Sequence, residues 1–429
     1  MVENSKLGLQ YFSDNFHYHQ SEADYWLNEF KDLGVNWLVL DNSDLIAIPE
    51  SFLTALLDSN ITPILRFNFP YPLQKPPHEF QLLLSFYQKI GIQYTVFFDR
   101  PNSQKFWSEK EWLHGDIVER FIDLFLPYAK FAIANGMQPV FPPLVVAEEY
   151  WDTAFLRLSL ESLLRRQEEE VVDKLVLSAY AHTSDLSRPL NWGAGGPHRF
   201  PASRPFFCPE NSQDQKGFHV DDWYQAIAKA VIGKPLPLIL FEASPSITLL
   251  QLADLNIFDK RRFAIVQQLL PFQSQTSPSS NDEEILPLST HTICFVFSQL
   301  IEQPFSQTNY LAWYDLYRHP KPFINQVKTW VRSATFAQHS HGTAKDNRHV
   351  LLLPPLPKAQ LNQELAQIQP YLLQKQPKIV FSIAEALQAE RVTLLSHLDF
   401  FSTEELNRLE NQHCEIELIS QSGTKIVTV

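Results

Sequence analysis

Short apolar runs alternate with longer amphipathic stretches along most of the chain. The runs fall at residues 7–12, 37–40, 61–67, 94–98, 139–146, 175–180, 236–241 and 292–297. Their length and their content of Leu, Ile, Val, Phe and Tyr predict buried β-strands. Between them, the stretches 22–33, 49–57, 77–90, 117–135, 155–169, 220–231 and 261–270 mostly repeat apolar residues at i, i+3 and i+4, and they predict helices. Strands alternating with helices form parallel βαβ units, and eight such units are the number that closes a (β/α)₈ barrel of the TIM type. An open doubly wound sheet would carry a glycine-rich phosphate turn after its first strand. Here that turn reads Tyr11-Phe12-Ser13-Asp14-Asn15, without glycine. An α/β barrel is the expected fold.

Two irregular stretches interrupt the alternation. Residues 183–219 carry Trp192, Gly193, Gly195, Gly196, His198, Arg199 and several prolines, and are expected to form a long structured loop after the sixth strand. In a barrel, loops that follow strands build the ligand face. Residues 273–290 are polar and predict a mobile surface excursion. The small, polar stretch 335–348 reads as a linker between a barrel at 1–334 and a small α/β domain at 349–429. In that domain, strands are expected at 350–353, 379–382, 392–395, 416–419 and 426–429 in a small parallel sheet, with Ser402 or Thr403 as the N-cap of a helix.

Composition narrows the function classes. Of 429 residues, 45% are hydrophobic, 13% aromatic and only 19% charged, which is enough apolar surface for a core and excludes a disordered chain. The 35 Lys and Arg against 48 Asp and Glu give −13, a charge that repels nucleic acid and anionic lipid. The odd number of cysteines, Cys208, Cys294 and Cys414, gives no disulfide framework, and they read as buried thiols. No run of about 18 apolar residues occurs and the start has no apolar core of a signal peptide, so a soluble and, by default, cytoplasmic protein is expected. His339-Ser340-His341 has no third ligand nearby, and neither a metal nor another cofactor is expected. Ser244 lacks a Gly-x-Ser-x-Gly elbow, which leaves an esterase without support.

In a barrel the C-terminal strand ends converge on one cavity, so chemistry is sought there. These ends supply Asp41 and Asn42, then Arg66 and Asn68, then Asp99, Arg100 and Asn102, then Glu148 and Glu149, then Tyr180 and His182, and lastly Glu242. Trp107, Trp151, Trp192 and Trp223 lie on or near the same loops, and indole faces suit the apolar faces of sugar rings.

The order of these motifs resembles a known family. Asp99-Arg100-Pro101-Asn102 after the fourth strand, Pro237-Leu238-Ile239-Leu240-Phe241-Glu242-Ala243 at the seventh, and Trp313-Tyr314-Asp315 with Pro320-Lys321-Pro322 near the end are similar to the clan of retaining (β/α)₈ glycoside hydrolases that includes cellulases and β-xylosidases. The resemblance spans residues 7–331. It implies a carbohydrate ligand, with Glu242 as nucleophile and Tyr180 as the strand-six tyrosine that hydrogen-bonds it. The clan's acid/base Glu is replaced by Arg100. Retaining hydrolysis needs two carboxyl groups about 5–5.5 Å apart, and an arginine holds its proton too firmly to be the acid. An Arg100 facing Glu242 would also pair with it and lower its pKa. Asp99, Glu148 or Glu149 would then have to donate the proton, while Arg100, Asn102, Arg66, Asp41, Tyr180, His182 and Trp192 would bind substrate. Two functions follow: a glycoside-hydrolase-like protein that cleaves or binds a glycan, or a catalytically inactive relative that binds a glycan or a protein. The C-terminal domain resembles bacterial cell-wall-binding repeats in its strand-helix-strand order.

Overall fold

The structure, a computed structural model, describes residues 4–14, 16–42, 46–69, 71–72, 75–146, 149–200, 213–243, 255–271, 285–306, 308–341, 349–354, 356–375, 377–386, 389, 391–395, 401–402, 405–406, 408–409, 415–420 and 425–428. Within residues 273–290, the expected mobile excursion lies largely outside them. The chain divides into two compact units, Met1–Ser333 and Ala334–Val429.

In the first unit, β1 (Leu7–Gln10), β2 (Trp37–Asp41), β3 (Thr62–Arg66), β4 (Tyr94–Val96), β5 (Gln138–Val140), β6 (Leu177–Ala181), β7 (Leu238–Glu242) and β8 (Thr292–Phe297) form one sheet in the order β5-β4-β3-β2-β1-β8-β7-β6. All its pairings are parallel. The two ends of that order meet at a parallel bridge between Val140 and Val176, where the Phe141 amide donates to Val176 O at 2.8 Å and the Val176 amide to Pro139 O at 3.1 Å. The sheet is therefore a closed cylinder, the expected (β/α)₈ barrel. Its strands β6 and β7 are buried on both faces, which explains why they read as mostly apolar runs rather than alternating ones. A Cβ on Gly8 would stand 3.1 Å from Trp37 Cβ and from Val296 Cγ2, so glycine lets β1 approach both neighbours.

The helices cover the cylinder as their spacing predicts. In Gln20–Leu33 the buried residues Ala23, Trp26, Phe30 and Leu33 share one face, and burying each large one is worth about 1.5–3 kcal/mol. Gly34, at φ 72°, ends the helix by donating to Lys31 O and Phe30 O. The stretch expected as one helix at 155–169 forms two, Asp152–Arg165 and Glu169–Lys174, with Gln167 left-handed at φ 59° between them. There Arg166 reaches back to Glu119 at 2.7 Å and to Asp123 at 2.6 Å, which anchors the break. Among the described residues no helix is long and apolar enough to cross a membrane.

A helix runs into the first part of the stretch expected as a linker, 335–348. The helix Pro322–His341 continues past residue 335 because the chain contains neither Gly nor Pro until Gly342. In the second unit, β9 (His349–Leu352), β10 (Lys378–Val380), β11 (Arg391–Leu395), β12 (Glu415–Ile419) and β13 (Lys425–Thr428) are ordered β10-β9-β11-β12-β13. The first four are mutually parallel, but β13 runs antiparallel to β12, which corrects the expected parallel sheet. The five residues between Ile419 and Lys425 are too few for the crossover that a parallel pair requires. Val350 and Leu352 enter one apolar cluster while Leu351 and Leu353 enter another, so successive residues of β9 feed opposite faces. Ser402 caps its helix reciprocally: its Oγ accepts from the Glu405 amide at 3.3 Å, and its own amide donates to Glu405 Oε2 at 2.9 Å.

Candidate active site

The C-terminal ends of the barrel strands surround a cleft made of two adjoining cavities. The deeper one, about 200 Å³, is lined by Gln10, Arg66, Asn68, Asp99, Arg100, Tyr180, Phe241, Glu242, Val296 and Ser298. The outer one, about 410 Å³, shares Asn68, Asp99, Arg100 and Tyr180, and adds Tyr71, Lys105, Phe106 and His182 among others. Seven of the residues singled out in the sequence thus come together: Glu242, Asp99, Arg100, Arg66, Asn68, Tyr180 and His182.

Glu242 ends β7 and is only 3% exposed. Its Oε2 accepts from the amide and the hydroxyl of Ser298, both at 3.2 Å, and its Oε1 from Thr183 Oγ1 at 3.4 Å. Burial raises its pKa above the ordinary carboxyl value, against the opposing pull of Arg262 and of the Ser298 donors. The cation acting on Glu242 is therefore Arg262, not Arg100, and the expectation of a lowered pKa is corrected. Arg262 is 1% exposed. It donates from Nη2 to Leu311 O at 2.8 Å, while among the described residues Nε and Nη1 have no hydrogen-bond partner. Its guanidinium lies 4.2 Å from the Phe323 ring centroid and 5.5–5.6 Å from those of Phe258, Trp313 and Phe297. The aromatic faces give the sealed charge a cation–π environment in place of water.

Arg100 is turned toward β6. It adopts a left-handed backbone at φ 51°, uncommon for a residue with a side chain. The turn is held by its amide donating to Pro143 O and by its carbonyl accepting from the Ser103 amide, both at 3.0 Å. The guanidinium carbon stands 4.7 Å from the Tyr180 ring centroid, and Nε is 3.5 Å from Asp99 Oδ2. Tyr180 OH donates to Asp99 Oδ1 at 2.6 Å. The tyrosine thus bonds the strand-four carboxylate, whereas the family resemblance implied a bond to Glu242. Both Asp99 oxygens face donors, which suits positioning and charge stabilisation more than proton delivery.

The other selected residues serve the frame. Asp41 lies behind the cleft and accepts from Arg66 Nε at 2.6 Å, Gln10 Nε2 at 3.1 Å and Ser13 Oγ at 2.6 Å, so it fixes Arg66. The Arg66 pKa rises despite its burial because Asp41 is against it. Asn102 is fully buried and staples two loops, donating to Val145 O and Tyr150 O and accepting from the Val145 amide, each at 2.8 Å. Glu149 accepts from the Gln104 amide and so ties the loop after β4 to the loop after β5. Glu148 lies outside the described residues. His182 is neutral, its pKa driven down to about 3 by burial and then by Lys216.

None of the four tryptophans is among the cleft residues. Trp107 is buried with its indole N–H on Pro101 O at 2.7 Å, and Trp223 donates to Gly193 O at 3.0 Å. Trp192 carries the Arg188 guanidinium 4.8 Å from its ring centroid. Trp151 and Trp223 line a separate cavity beside the helix Val220–Ile232. Aromatic surface in the cleft comes instead from Tyr71, Phe69, Phe106, Tyr180 and Phe241. Sequence reasoning missed Arg262, Ser298, Thr183, Gln10 and Lys105. Arg262 left a trace, for it sits on the apolar face that Phe258, Ile265 and Leu269 mark as buried.

The fold and site define a TIM-type α/β barrel with a carboxyl-, guanidinium- and tyrosine-lined cleft at its C-terminal face. No protein-family model matches the sequence, and no curated protein sequence matches it. Among solved structures, a monomeric β-xylosidase from Caulobacter crescentus CB15 is 10% identical, with 76% of this chain and 68% of that chain covered and a TM-score of 0.43. The GH39 enzyme from Xanthomonas axonopodis pv. citri is 11% identical, with 76% and 66% covered and a TM-score of 0.42. D-psicose 3-epimerase from Clostridium cellulolyticum H10 is 11% identical, with 77% and 98% covered and a TM-score of 0.38. Likeness at this level extends to the barrel fold alone.

Proposed function

We propose that this chain is a glycoside-hydrolase-like carbohydrate-active protein, a barrel at 1–334 with an accessory domain at 349–429, which takes a glycan into the cleft at the C-terminal strand ends. The observation that carries this reading is Glu242, a buried carboxyl in the same cavity as Asp99, Arg100, Arg66 and Gln10. Planar amide and guanidinium donors beside carboxylate acceptors match the paired hydroxyls of a sugar, and Tyr71, Phe106 and Phe241 offer apolar faces to its ring.

A carboxyl whose pKa is raised by burial keeps its proton to a pH nearer neutrality. That makes Glu242 a better proton donor to the glycosidic oxygen than a permanently ionised nucleophile. Asp99 is then the companion carboxylate, which attacks the anomeric carbon or activates a water. The second reading, glycan binding without cleavage, is favoured by the engagement of both Asp99 oxygens with Tyr180 and Arg100. Incubation with a panel of oligosaccharides, followed by reducing-end formation and thermal shift, separates the two. Products support hydrolysis, a shift without products supports binding alone, and the absence of both with every glycan sinks the carbohydrate reading.

A further inference from the structure

We propose that His219, Asp221 and Asp222 form a binding site for one divalent transition-metal ion, remote from the cleft and independent of the glycan reading. Asp221 Oδ2 bonds Thr292, the first residue of β8, so the cluster sits by the N-terminal end of that strand, whereas the cleft lies at the C-terminal ends. His219 Nδ1 stands 4.0 Å from Asp221 Oδ1 and 4.0 Å from Asp222 Oδ2, and one ligand atom from each residue lies within 4.8 Å of the others. A cation held about 2.0–2.2 Å from each of three ligands at tetrahedral angles spaces them by about 3.3–3.6 Å, so all three side chains must draw in, by about half an ångström to one ångström.

The surroundings point to a ligand. His219 is 1% exposed, yet among the described residues neither of its ring nitrogens has a hydrogen-bond partner. Asp221 is fully buried and its Oδ1 likewise has no hydrogen-bond partner among the described residues. Its other oxygen is fixed by the Ser289 amide at 2.8 Å and Thr292 Oγ1 at 3.0 Å, as outer-shell donors fix a metal-binding carboxylate. Asp222 Oδ2 accepts from the Gly195 amide at 2.7 Å and keeps lone-pair capacity for a cation. The near cation, Lys6, gives its ammonium to Ser289 O at 3.2 Å rather than to either carboxylate. Two carboxylates and a neutral imidazole would balance a dipositive ion, and this mixed O/N set suits Mn²⁺, Fe²⁺ or Zn²⁺ better than Mg²⁺. Asp222, half-buried, is the side from which an ion enters.

The full chain, stripped with a chelator and dialysed, is titrated with MnCl₂ and with ZnCl₂, and bound metal is counted by elemental analysis beside thermal melting. The proposal expects one ion per chain and a melting temperature raised by about 2–5 °C at saturation. Asp222→Asn keeps an acceptor for the Gly195 amide and should fold. It and His219→Gln should each weaken binding at least tenfold and remove the thermal shift. Failure of the stripped protein to bind either metal overturns the proposal, as does equal binding by wild type and Asp222→Asn.

Discussion

Replacing Glu242 by Gln removes the charge while leaving the shape, and the surroundings accept the exchange. The amide oxygen can keep the two Ser298 donors, and the amide N–H can donate to Thr183 Oγ1, so no buried group is orphaned there. The pH dependence has a definite sign. Because the folded pKa is raised, both states hold the proton below the ordinary carboxyl value. As the pH rises, the unfolded chain releases its proton first, and stability is lost up to and through the folded pKa. Each tenfold difference in proton affinity between the two states is worth about 1.4 kcal/mol. Urea unfolding of wild type and variant at pH 5 and pH 8 should therefore show a smaller loss in the variant. Asp221, pushed up to about 7 by burial, adds a step of the same sign that both proteins retain, so the variant's profile flattens without becoming level. If the chain cleaves glycans, the variant should also lose about 10²–10⁴-fold in kcat, the usual worth of a positioned acid. An unchanged pH slope would show that Glu242 does not titrate late, and unchanged turnover would remove it from the mechanism.

Three further substitutions probe the frame. Asn102→Ala abandons three backbone partners in a buried loop junction and should cost about 2–4 kcal/mol in urea unfolding; a loss under about 1 kcal/mol would mean water replaces the staple. Gly193→Ala places a Cβ 2.2 Å from Asp214 O on a backbone at φ 77°, so a melting temperature equal to wild type would contradict the described loop. Tyr180→Phe takes the donor from Asp99 Oδ1 and should destabilise by about 1–2 kcal/mol while weakening glycan binding, seen by calorimetry; if affinity is untouched, Asp99 does not depend on Tyr180 for its placement.

The barrel was legible because a parallel strand buried on both faces writes a mostly apolar run, and all eight runs contain a strand of the sheet. Strand-end logic also located Glu242, Asp99, Arg100, Arg66, Tyr180 and His182, since register along a parallel sheet puts such residues on one rim. Direction within the rim was not legible. Whether Arg100 faces Glu242 or Asp99 depends on its left-handed turn, a backbone choice that no neighbouring glycine advertises. Asn102 and Glu149 look like ligands in sequence, but spend their polar atoms on loop amides and carbonyls that only the folded chain brings near. Arg262 was hidden for the opposite reason: its charge argues for the outside although the helix period puts it on the buried face, and here four aromatic rings admit it. Tryptophans between strands were poor guides, because a large indole satisfies local packing before it serves a ligand.

The cylinder is not equally strong around its circumference. Seven of its joints run along paired strands, but the eighth rests on the Val140–Val176 contact and the Ser178 hydroxyl reaching Phe141 O, beside a proline that offers no amide hydrogen. Amide exchange should begin along that seam before it reaches β1 or β8. Because the loop bearing Arg100 leads from β4 toward β5, which pair over three residues, breathing of this seam would widen the mouth on the Arg100 side, while Glu242 ends a strand held to β6 over five.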